Sequence, residues 1–102
     1  MNITLQDCIA LCGLEEDEVA GIAEHEQIPE IAAAALATEL LHQPGGVTRI
    51  RDMLVDDFRA AVKRGDKEHA RALLATLRKF ASEHRDELLA DRAAGKSAGE
   101  QA

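Results

Sequence analysis

From Ile31 to Leu41 the chain reads IAAAALATELL, apolar at nearly every position and interrupted only by Thr38 and Glu39. Wound as a helix, such a run has no polar side to give to water. A helix apolar all round is one that other elements enclose. This stretch therefore predicts an all-α fold with one central helix and the rest of the chain packed around it. Pro29 lacks a backbone donor, disfavours helix at Ile28 and suits the first turn of a new helix. The central helix is thus expected from about Pro29 to His42, and QPGG, residues 43–46, ends it. The longer apolar stretch, Ile28 to Leu41, contains Glu30 and Glu39 and is too short to span a bilayer.

Two helices are expected before it. Thr4 followed by Asp7 has the spacing of a capping box. Leu5, Cys8, Ile9 and Cys12 then fall on one face, and Gly13 stands where a left-handed stop belongs. A second helix opens on the acids Glu15, Glu16, Asp17 and Glu18, which suit the positive end of a helix dipole. Its apolar stripe is Val19, Ile22 and Ala23.

Two more helices are expected after it. Val47, Ile50, Leu54, Phe58, Ala61 and Val62 mark a fourth helix from about Thr48 to Arg64. Gly65 and Asp66 read as a stop and the next N-cap. A fifth helix runs from Lys67 to about Leu89 on the stripe Ala70, Leu73, Leu74, Leu77, Phe80, Ala81, His84 and Leu88. So short a link predicts an antiparallel hairpin of helices four and five. The expected whole is one compact bundle of about five helices over residues 1–89, followed by a flexible tail over 90–102. Period-2 alternation, the mark of strands, is absent.

Only Phe58 and Phe80 are aromatic among 102 residues, so the core rests on Leu, Ile, Val and Ala. Alanine buries little area, and association with a second copy or a partner would add burial. Charge is unevenly placed. Residues 1–48 hold nine acids and no Lys or Arg; residues 49–102 hold all twelve Lys and Arg against ten acids. The halves carry −9 and +2, which sum to the net −7. That balance, with no aromatic platforms, argues against a nucleic-acid binder. No basic region followed by an apolar run opens the chain, so the expectation is a soluble, cytoplasmic protein.

Arg71, Arg78, Arg85 and Arg92 stand seven residues apart, with Lys67 one turn before Arg71, and line one flank of the fifth helix's apolar stripe, with Glu83, Glu87 and Asp91 on the other. Basic and acidic margins around an apolar seam orient helix pairing. They also serve as solvated flanks, where a pair contributes about 0–1 kcal/mol. The expected function is a small non-enzymatic interaction or regulatory protein that self-associates. Its contact residues are Lys67, Arg71, Arg78 and Arg85 against Glu15, Glu16, Asp17 and Glu18. The partner is a second copy or another protein, not nucleic acid or membrane.

Two alternatives come from the same residues. Glu39 and His42 have the E-x-x-H spacing that resembles ferritin-like di-iron helices in two ligand positions. With Glu26 and Glu30 they suggest a metal site suited to iron or manganese; otherwise no cofactor is expected. The other alternative is an acidic mimic that occupies a basic protein surface. Cys8 and Cys12 form C-x3-C, neither a redox nor a zinc spacing, and are expected to pack as small hydrophobes. No phosphate-binding, dinucleotide or nucleophile-elbow motif occurs, so nothing points to an enzyme.

Overall fold

The computed structural model describes residues 3–101, with side chains described through residue 94. It is all-helical, and no strand occurs among the described residues. Among the described residues six helices follow in order: α1 (Leu5–Cys12), α2 (Glu16–Glu26), α3 (Glu30–Leu41), α4 (Gly46–Arg64), α5 (Lys67–Glu83) and α6 (Arg85–Gln101). None is long and apolar enough to cross a membrane.

The local signals act as their chemistry dictates. Thr4 Oγ1 accepts from the Asp7 amide at 3.1 Å, and Asp7 returns the bond to the Thr4 amide. Gly13 ends α1 in the left-handed region at φ 86°. Gly65 ends α4 at φ 76°, and Asp66 caps α5 by accepting from the His69 amide. α2 stops instead on Gln27, a non-glycine at φ 57°, just before Pro29. A side chain in that region costs roughly 1–2 kcal/mol. Gln27→Gly should therefore raise the unfolding free energy by about 1 kcal/mol, read from the midpoint of a urea transition. An unchanged or lower midpoint would mean that Gln27 is not held left-handed.

The main core joins α1, α2, α3 and α4 with Phe80 of α5 and contains Ile9, Val19, Ile22, Ala33, Ala37, Leu40, Ile50 and Leu54. A smaller cluster of Ala61, Ala70 and Leu73 seals α4 to α5. Gly21 lets α2 approach α4 closely, since a Cβ there would lie 2.3 Å from Leu54 Cδ2.

Two expectations need correction. α3 packs on α1, α2 and α4 but is not enclosed: Ala33, Ala34, Ala37 and Leu40 are buried, while Ile31, Ala32 and Ala35 face outward. The molecule measures 49 × 40 × 22 Å. Every helix carries exposed residues, so none is covered on every side. The helix that touches most others is α4, which packs on α2, α3, α5 and α6. The expected fifth helix is also two. α5 ends at Glu83, and His84 leaves helical geometry at φ −116°, ψ 27°, with its ring 4.4 Å from that of Phe80. The turn there brings Leu88 of α6 against the main core. Helical backbone then continues through the stretch expected as a tail. The side chains of most of that stretch lie outside the described residues.

Candidate functional site

The acidic start of α2 is not a uniform charged front. Lys79 of α5 donates to both Asp17 oxygens at 2.7 Å and also to Glu15. Thr76, one turn earlier on α5, donates to Asp17 Oδ2 at 2.8 Å. Partial burial opposes ionisation of Asp17, but the hydrogen bonds from Lys79 and Thr76 outweigh it and hold the carboxyl below its ordinary range. Burial likewise works against the Lys79 charge, and the same two carboxylates overcome it and raise its pKa.

Glu18, expected on this front, is instead fully buried. Its Oε1 accepts from the Glu15 amide at 2.8 Å while Oε2 has no partner. Burial pushes its pKa up. The first turn of α2 therefore turns one acid inward as a cap, gives two to Lys79 and leaves Glu16 exposed.

A second polar cluster lies where α2, α4 and α5 meet. His25 Nε2 is 3.0 Å from Asp56 Oδ2, and His69 Nε2 hydrogen-bonds Glu24. Beneath them Asp57 is only 4% exposed, and its Oδ2 has no hydrogen-bond partner. Burial pushes the Asp57 carboxyl up to about 7, with the negative charges of Glu24 and Asp56 adding to it and His25 and His69 opposing. His25 loses by partial burial but gains more from its Asp56 hydrogen bond and the nearby Asp57 and Glu26 charges, so its pKa rises. The cluster borders a depression of about 350 Å³ shared with Gln27, Ala60 and Arg64. Asp57 and His25 each bear on the other's titration, so the pair releases its protons in shared steps.

Asp57 was legible in part. Ile50, Leu54 and Ala61 form the buried stripe of α4, and position 57 falls on it at i+3 from Leu54 and i−4 from Ala61. An acid there must point inward. Lys79 carries no such signal, because its role depends on how α5 lies against α2.

The basic residues of the expected margin divide between two helices. Lys67, Arg71 and Arg78 are on α5 and Arg85 opens α6, so the line bends at His84. All four are exposed, and none forms an ion pair among the described residues.

The four suggested metal ligands are not brought together. Glu26 is exposed beside His25, Glu30 is half-buried at the start of α3 and Glu39 is exposed. His42 caps the end of α3, with its Nδ1 2.7 Å from the Thr38 carbonyl oxygen. Among the described residues no group of three or more His, Cys, Asp or Glu is placed to hold a metal ion. Cys12 is buried, and its thiol donates to the Ile9 carbonyl; Cys8 is half-buried, and both are free. The chain matches no protein-family model, and no curated protein or solved structure is detectably similar to it.

Proposed function

We propose that this is a small helical interaction protein that associates with a second copy of itself by setting its acidic amino half against its basic carboxyl half. One observation carries the reading: charges on both halves are exposed and uncompensated among the described residues. Lys67, Arg71, Arg78 and Arg85 on one side, and Glu16 and Glu39 on the other, take part in no ion pair among the described residues. Glu15 and Asp17, already held by Lys79, contribute less than the sequence implies. Complementary surfaces of this kind set association rate and register more than affinity.

Salt gives the test. Raising ionic strength from about 0.1 M to 1 M shortens the screening length from about 10 Å to 3 Å. The association constant, followed by sedimentation, should fall at least tenfold over that range. Arg71→Glu, Arg78→Glu and Arg85→Glu together should abolish association at the lower salt. Association that is indifferent both to salt and to these reversals would overturn the reading.

A further inference from the structure

The uncovered side of α3 joins α1 to form an apolar groove of about 260 Å³, lined by Cys8, Leu11, Ile31, Ala34, Ala35 and Thr38. Leu11 is 82% exposed and Ile31 54%. Helical spacing of three and four puts Asp7 one turn from Leu11, Glu30 one turn from Ala34 and Glu39 one turn from Ala35. The rim is therefore acidic, and no Lys or Arg occurs anywhere in residues 1–48 to balance it.

Elsewhere in the same chain lies a helix flank with the complementary pattern. On α6, Arg85, Leu89 and Arg92 stand at i, i+4 and i+7 and share one flank. All three are exposed, Leu89 by 52%. Leu88 packs on the core and Asp91 accepts from Thr48 at 2.6 Å, so α6 is fixed to α4 and this flank is left open. An apolar anchor between two arginines is what an acid-rimmed apolar groove accepts in helix-in-groove recognition. α5, in contrast, spends its apolar stripe on α4 within the chain.

We infer that the α1–α3 groove receives the Arg85–Leu89–Arg92 flank of α6 from a second copy of this chain. Each copy offers both surfaces, so a reciprocal exchange closes a two-fold dimer, whereas a one-way exchange builds open chains. The inference rests on the self-association proposed above and names the two surfaces that meet. It also makes α6, rather than the α5 arginines, the main basic element.

The test uses the full chain. Leu11→Asp and Leu89→Asp both alter exposed positions, and retained helicity by circular dichroism confirms folding. Each should weaken association at least tenfold. Arg85→Glu with Arg92→Glu should weaken it, as should Glu30→Arg with Glu39→Arg, and all four changes in one chain should restore it. Cys8 lines the groove, so its reaction with a thiol reagent should slow at concentrations where the wild type associates. If the wild type associates but Leu11→Asp and Leu89→Asp leave it intact while Arg71→Glu and Arg78→Glu dissolve it, this inference fails and the broader reading stands. If the wild type never associates, both fail. A four-fold exchange that does not recover association also refutes the pairing of these two surfaces.

Discussion

Asp57→Asn is expected to stabilise the protein above neutral pH by about 4 kcal/mol and to flatten its stability between pH 4 and 7. The carboxyl is buried beneath His25 and Asp56, and its pKa is raised from 3.8 to about 7. An unfolded chain releases this proton near pH 4, but the folded chain keeps it until about pH 7. Across that window the folded state binds more protons, so stability falls as pH rises, then levels off. About three pH units at 1.36 kcal/mol each give the expected size. Asparagine is near in shape and stays neutral. At pH 4 a protonated carboxyl and an amide place similar neutral groups at the site, so the two proteins should be nearly alike there. Urea unfolding of both at pH 4, 6 and 8 checks this. Parallel pH profiles would show that Asp57 ionises normally and that its setting is misassigned. Glu18 and His25 also have raised pKa values and remove stability in the same direction as pH rises. For that reason the comparison is made between variant and wild type rather than on the wild-type slope.

Gly46→Ala is expected to be the most damaging small substitution. Gly46 opens α4 directly after the turn from α3, and a Cβ at this position would lie 1.6 Å from the Leu40 carbonyl oxygen and 2.5 Å from its carbon. The obstacle is backbone, so no side chain can swing away. The end of α3 would have to lift from the start of α4, carrying buried Leu40 and Val47 with it. Overpacking of this kind costs about 3 kcal/mol, occasionally more. Its neighbour supplies the control. A Cβ on Gly45 meets nothing within 4 Å, but the residue sits at φ 76°, which costs an L-residue roughly 1–2 kcal/mol. Denaturant midpoints should therefore rank wild type above Gly45→Ala, and Gly45→Ala above Gly46→Ala. The reverse order of the two variants would mean that α3 and α4 do not meet at Gly46.

What could be read from the residues follows the range of the forces involved. Thr4 with Asp7, Gly13, Gly65 and Asp66 act within three or four positions, so their sequence signals and their structural roles coincide. The apolar run of α3 announced a helix but not which side would be covered, because alanine on every side carries no direction. Only the placement of α1, α2 and α4 around α3 decides that Ile31 and Ala35 stay outside. The break at His84 had no glycine or proline to mark it. An unbroken apolar stripe from Leu77 through Phe80 to Leu88 reads as one helix, although the chain breaks at His84 and Leu88 reaches the core from α6. For the same reason the basic margin looked straight when it bends. The engagement of Asp17 by Lys79 and Thr76 joins residues about 60 positions apart in sequence, beyond any periodicity argument.

The central claim is that opposite charges, unpaired among the described residues of one chain, are matched between two. Light scattering of the untagged protein at low salt, over a wide concentration range, tests it most directly. A mass climbing from the 11.0 kDa of the single chain towards twice that value is the predicted result. A mass that stays at 11.0 kDa at every concentration would contradict it.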